Sequence, residues 1–235
     1  NRLIRSLSEI NIKIPLSKRA LFIHISNIIK QNYVSNGLVY LQITRGVASR
    51  DFKFPKNIKS SLVIIAKNIP INAYEESFKK GIKVSTTNDI RWKRVDIKSL
   101  NLLPPVLAKQ AASDLGSQES WMVDQDGFIT EGSSSNAWIY CDNTLITRPA
   151  TNSILSGITR QTLIRGLLKK KIKYKEKKFN LNDIKRASEA FITSATQHVM
   201  PVVKINNIKV GNGIPGPKAN DFRSAYMESL KLTEI

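Results

Sequence analysis

The sequence predicts an α+β protein of two domains, a small N-terminal α/β domain over residues 1–82 and a larger, barrel-like C-terminal domain over residues 83–235. In the first third, helically spaced apolar residues give way to two alternating stretches, Leu38 to Thr44 and Ser61 to Ala66, the mixed periods of an α+β unit. Residues near Gly81 to Asn88 follow a polar helix and read as the connection to a second unit. Strand-like stretches then crowd together at Ser120–Val123, Phe128–Thr130, Ser135–Tyr140 and Thr144–Thr147. Such close, antiparallel-looking strands suggest a barrel-like domain.

Taken in order, Leu3, Leu7 and Ile10 share one face of a helix already under way at Arg2, so the chain is expected to open part-way into a domain. Ser17 caps a second helix whose apolar residues Leu21, Ile25, Ile28 and Ile29 recur at helical spacing and which ends near Asn36-Gly37, with His24 as a scaffold residue. The loop RGVASRDFKFP separates the first two strands, and a polar helix spans Tyr74 to Lys80.

A further helix begins near Pro104 or Pro105, where proline's fixed φ suits a first turn. On its wheel Lys109 shares a face with Leu102, Pro105, Val106 and Ala112, and burial there would favour the neutral amine. Without further context the same lysine reads first as one that covers apolar surface with its stem. Glu131, Gly132 and three serines then lead to Asn136 and the apolar Ala137–Tyr140. Ile154–Arg160 introduces a helix whose first amides favour an anion, with Gly157 letting the main chain approach closely. Ala190–Thr193 is a strand, Val199–Ile205 and Ile208–Val210 form a hairpin around Asn206-Asn207, and a closing helix follows Pro217.

The bulk numbers exclude several function classes. With 235 residues, 41% hydrophobic and 23% charged, the chain can bury a substantial core. A single cysteine rules out an internal disulfide framework, and two histidines without neighbouring ligands argue against a metal site. No apolar run approaches the roughly twenty residues of a membrane span. The net charge of +19 peaks in LLKKKIKYKEKK, yet no aromatic residues alternate with the charge in a stacking pattern and no nucleic-acid motif accompanies it. That charge reads as solvated surface, with neither nucleic acid nor membrane as partner, and it would welcome anionic ligands.

DIRWKRVDIKSLNLL, VLAKQ, TEGSSSN and ILSGITR occur in that order, and with them the chain resembles the D-amino-acid aminotransferases. These lie within the fold-type IV, pyridoxal-phosphate-dependent aminotransferases, which include branched-chain aminotransferases and aminodeoxychorismate lyase. The resemblance runs from Asn1 to the C-terminal helix, while family members carry a further segment before the equivalent of Arg2, which this chain is expected to lack. It implies Lys109 as the Schiff-base lysine and Glu131 as the carboxylate facing the pyridine nitrogen of pyridoxal 5'-phosphate. Cofactor contacts are implied for Arg2, Ser134, Ser135, Asn136, Leu155, Gly157, Ile158, Thr159 and Thr196. For the substrate carboxylate it implies Arg50, with Phe52 standing where the family has a histidine.

The expected reaction is amino transfer between a D-alanine-like amino acid and a 2-oxoglutarate-like acid, in a cytoplasmic homodimer. Because of Phe52, L-branched-chain transfer and aminodeoxychorismate lysis stay open as alternatives. So does a non-enzymatic reading, a basic nucleic-acid-binding or degenerate cofactor-binding protein.

Overall fold

The computed structural model describes residues 1–70 and 72–230, so residues 231–235 of the expected C-terminal domain lie outside the described residues. The chain divides into two compact units, Asn1–Ala73 and Tyr74–Ile235. The expected border after residue 82 falls beyond a helix, α3 (Glu75–Lys80), that belongs to the second unit. Phe78 of α3 packs against both core clusters of that unit, and Arg223 pairs with Glu75.

The first unit holds helices α1 (Arg2–Glu9) and α2 (Lys18–Gln31) and the strands β1 (Gly37–Thr44) and β2 (Ser61–Asn68). Ser17 caps α2 as expected, its hydroxyl accepting from Ala20 N at 3.2 Å. The helix stops short of Asn36-Gly37, because the Asn32 side chain takes the Ile28 carbonyl (2.9 Å) and Tyr33 adopts a left-handed φ of 50°. β1 and β2 pair antiparallel from Gly37↔Asn68 to Thr44↔Ser61. Arg45 fixes the base of their connecting loop, stacking 3.6 Å over the Phe54 ring and donating to the carbonyls of Ile10 and Asn11.

The second unit is built on one sheet. In chain order its elements after α3 are β3 (Ile82–Asn88), α4 (Leu103–Asp114), β4 (Glu119–Val123), β5 (Ile129–Gly132), β6 (Asn136–Cys141) and β7 (Thr144–Thr147). There follow α5 (Ile158–Lys169), β8 (Tyr174–Glu176), α6 (Leu181–Arg186), β9 (Glu189–Ser194), β10 (His198–Ile205), β11 (Ile208–Lys209) and α7 (Pro217–Leu230). The strands run β5-β4-β3-β10-β9-β6-β7-β8, with β11 beside β10. Residues 82–88 are therefore an interior strand, parallel to both neighbours, where the sequence reading has a connector. Ile82 and Val84 are buried, while the intervening and later residues are lysine, serine, threonine and asparagine.

Only Ser133 to Ser135 separate β5 from β6, although the two are distant in the strand order, so the sheet has to curl. Its ends meet. Ile129 N donates to Phe179 O at 2.9 Å, and Phe128 bridges antiparallel to Asn180 just beyond β8. Arg148 holds this seam, donating to Ile129 O at 3.1 Å and pairing with Asp124 at 2.7 Å. The strand period of two separates two cores. Ala137 and Ile139 join a cluster with Trp121, Ile129, Phe179 and Met200, whereas Trp138 packs with Phe191, Leu163, Leu167 and Phe222, which brings in α5 and α7.

Among the described residues no helix is long and apolar enough to cross a membrane, and no group of His, Cys, Asp and Glu is placed to hold a metal ion.

Candidate active site

Glu131 ends up buried because β5 carries it across the curled sheet with its carboxylate aimed at three separate chain segments. Oε1 accepts from Arg91 Nη1 at 2.5 Å, Oε2 accepts from Asn136 Nδ2 at 2.8 Å, and the Leu155 amide lies 3.1 Å from both oxygens. Arg91 is in turn clamped by Asp89, through Nε at 2.9 Å and Nη2 at 2.7 Å, and reaches Ser153 O at 3.3 Å. Thr130 Oγ1 donates to Asp89 at 2.7 Å. Burial raises the Glu131 carboxyl from 4.5 to about 7, with the Arg91 charge and the donated hydrogen bonds pulling back and the Asp89 charge adding to the rise. Desolvation exceeds the attraction of the guanidinium. Glu131 is thus a buried acid poised near neutrality.

Asn136 is the hinge between this carboxylate and the next element. Its amide also donates to Leu155 O at 2.9 Å, and a Cβ placed on Gly157 would stand 2.2 Å from its Oδ1. Only glycine lets the start of α5 come this close. Ile158 and Thr159 are the first residues of α5, behind an N-cap whose lack of a side chain leaves the outward first-turn amides without a local side-chain acceptor. Thr159 is buried and hydrogen-bonded to the Tyr226 hydroxyl. The structure therefore brings Glu131, Asn136, Leu155 and Gly157 together. Thr196 is exposed in the turn between β9 and β10.

Arg2, Arg50 and Phe52 lie in the first unit. Arg2 opens α1, and Arg50 sits 5.4 Å from the ring of Phe52 in the β1–β2 loop, where Phe52 is 92% exposed.

Lys109 departs from its expected setting. On α4 the buried residues are Ala108 and Ala112, while Leu102, Val106 and Lys109 face outward, so the amine has no apolar pocket. Its Nζ instead donates to the Gln118 carbonyl and stands 3.5 Å from Glu119 Oε1. The Glu119 carboxylate gathers the serine loop: Oε1 accepts from Ser120 N (2.8 Å), Ser133 N (3.2 Å) and the Ser133 hydroxyl, and Oε2 from the hydroxyls of Ser134 (3.0 Å) and Ser135 (2.9 Å). Ser134 and Ser135 are thereby turned to Glu119. The partners of Lys109 and those of Glu131 are different residues.

Sequence reasoning missed Asp89, Arg91 and Glu119. The role of each depends on partners distant in sequence, up to 41 positions away for Thr130 and Asp89. The signal within reach was the opposite charge of Asp89 and Arg91, two residues apart at a strand end.

Residues 1–205 match the family model for amino-transferase class IV. The D-alanine aminotransferase of Bacillus licheniformis is 35% identical over 229 residues, which cover 97% of this chain and 80% of that protein. A D-alanine aminotransferase of Staphylococcus epidermidis is 38% identical over 235 residues, or 100% of this chain and 82% of the relative. Among solved structures, the Escherichia coli branched-chain amino acid aminotransferase superposes with a TM-score of 0.89 at 23% identity, over 97% of this chain and 76% of its own. The branched-chain enzyme of Thermobaculum terrenum in its PLP form gives 0.85 at 20% identity, over 99% and 77%. At these identities the structural likeness speaks for the fold.

Proposed function

The chain belongs to the class IV aminotransferases, and from that premise we propose that it exchanges an amino group between a D-amino acid, D-alanine foremost, and a 2-oxo acid such as 2-oxoglutarate, with pyridoxal 5'-phosphate as cofactor. The observation that carries this reading is the Glu131 carboxylate, buried and near-neutral beside the open first turn of α5. That donor set fits a phosphorylated pyridine. Glu131 would hold the protonated ring nitrogen, and the amides of Ile158 and Thr159 with the Thr159 hydroxyl would receive the phosphate, joined by Thr196. The cofactor, when bound, supplies an electron sink for charge developing at the substrate α-carbon.

The reacting amine is assigned to Lys98 in place of Lys109. Lys98 follows the buried Asp96 and Ile97 on a segment tied twice to the Glu131 site: Arg91 bonds Glu131, and Val95 N donates to Asn152 O at 3.0 Å, in the turn that also presents Leu155. Lys109 is committed to the Gln118 carbonyl and to Glu119. With the cofactor bound, the Lys98 amine would serve as the base that takes a proton from the substrate α-carbon and returns it. Within the first unit, the β1–β2 loop presents Arg50, whose guanidinium could match a carboxylate in two places, with the Phe52 ring 5.4 Å away.

Borohydride reduction of the cofactor-loaded protein followed by peptide mass mapping should place the adduct on Lys98, and an adduct on Lys109 would overturn that assignment. A panel of both enantiomers should give turnover with D-alanine and 2-oxoglutarate. Faster turnover of L-leucine, or pyruvate release from aminodeoxychorismate, would replace the D-amino-acid reading.

The outer face of α4, with Leu103, Val106 and Leu107 exposed beside Leu102, supports a homodimer in which a second copy covers it. The free thiol of Cys141, buried against the Arg186 carbonyl, suits the reducing cytoplasm.

A further inference from the structure

We propose that Glu119 is a positioning residue for the amino-transfer site, and that Lys109 serves as its counter-ion. The inference rests on the aminotransferase reading for its consequence and on geometry for its substance. Glu119 is 1% exposed on its side chain at the start of β4, and one carboxylate there accepts from the three consecutive serines of the link between β5 and β6. That link has few other ways to choose a conformation. Its serines are small, it lacks apolar anchors, and hydroxyls that turned outward would leave the buried carboxylate with too few donors. Ser133 N is shared with Ser120 O at 2.9 Å, so the main chain as well as the side chains is registered on β4.

What the link fixes is the relation between its two ends. Glu131 precedes it and Asn136 follows it, and these residues meet at 2.8 Å to hold the carboxylate in place. Gly132 is drawn in too closely for any side chain, since a Cβ there would stand 2.2 Å from Ser135 Oγ. A displacement of the serines is therefore passed to Glu131 and Asn136 directly. Among the described residues Lys109 is the cation paired with Glu119, across 3.5 Å at the solvent side, with the backbone carbonyl of Gln118 steadying the ammonium. A charged acceptor makes each of these hydrogen bonds stronger than a neutral one would.

The test uses the full chain with Glu119→Ala, Glu119→Gln and Lys109→Met, read by amide hydrogen exchange over residues 131–137 and by absorbance titration with pyridoxal phosphate. Glu119→Ala should speed exchange in that peptide at least about tenfold while the β9–β10 hairpin keeps its protection, and should weaken cofactor binding by a similar factor. Glu119→Gln keeps an oxygen for Ser120 N and Ser133 N and lets the Ser134 and Ser135 hydroxyls turn to accept, so it should recover most of both losses. Lys109→Met should leave the reduced-adduct position unchanged and shift the absorbance maximum little. If Glu119→Ala fails to fold, comparison of Glu119→Gln with Glu119→Asp decides, because Asp retains charge and loses reach. Exchange in 131–137 that is equal in all variants overturns the positioning role, even if cofactor binds. Wild-type protein that takes up no cofactor sinks the enzymatic reading instead and leaves the exchange result standing.

Discussion

Glu131 is a buried group whose charge is expensive to hold inside the fold. Unfolded, its carboxyl titrates near 4.5, and folded near 7, so between those values the native state holds the extra proton. Stability of the cofactor-free protein should therefore fall as pH climbs through that window and level off above it, by roughly 3 kcal/mol in all. Urea titrations at pH 5, 6, 7 and 8 would show it, and Glu131→Gln should flatten most of the slope. The same substitution should lower kcat at least about a hundredfold with little change in KM, because the lost charge matters as negative charge develops at the reacting carbon. Glu131 stood out in the sequence through its motif, and the structure finds it buried. Its guanidinium partner did not, since only the opposite charge of Asp89 two residues earlier hints at the role of Arg91 among the nearby cations Lys93 and Arg94. The apolar setting expected for Lys109 is not found for a related reason: a helical wheel orders residues by angle but does not say which arc faces the protein, and here the inward arc belongs to Ala108 and Ala112.

At the level of elements, local rules served best where a single residue type enforces a conformation. Ser17 at its cap and the asparagine pair of the β10–β11 hairpin were placed correctly, and the latter turns at Asn206 with φ 51°. β3 was misread because its polar residues are satisfied inside the fold. Ser85 pairs with the Ser117 hydroxyl at 2.7 Å and Thr87 with Ser120 at 2.9 Å, so an interior strand presents a loop-like composition. β8 and α6 went unread, although the capping box of Asn180 and Asp183 lies within the pattern that marks a helix start. Asn180→Ala should accordingly cost about 1 kcal/mol in thermal or urea unfolding. A sharper outcome is expected at Gly157, where alanine would press on Asn136 Oδ1 from 2.2 Å away. Gly157→Ala should destabilise the fold by roughly 1–3 kcal/mol and loosen Asn136 from Glu131, weakening cofactor uptake in titration while α5 stays helical by circular dichroism.

For the whole molecule, a formal charge of +19 means that folding gathers repelling lysines. Raising sodium chloride from about 20 to 200 mM should lift the melting temperature by a few degrees, through screening of that repulsion. The proposed dimer adds a second whole-molecule expectation. Sedimentation should report two copies, and Val106→Glu with Leu107→Glu should give monomers that keep their melting profile at pH 7. The seam between Phe128 and Asn180 bears on how such a molecule comes apart. An open sheet frays from its outermost ribbons inward, whereas this one is a hoop with its first and last ribbons clasped by Arg148. It has no loose hem from which to unravel, so the clasp must let go before any neighbouring strand can peel away, and the amides beside it should exchange as slowly as those at the middle of the sheet.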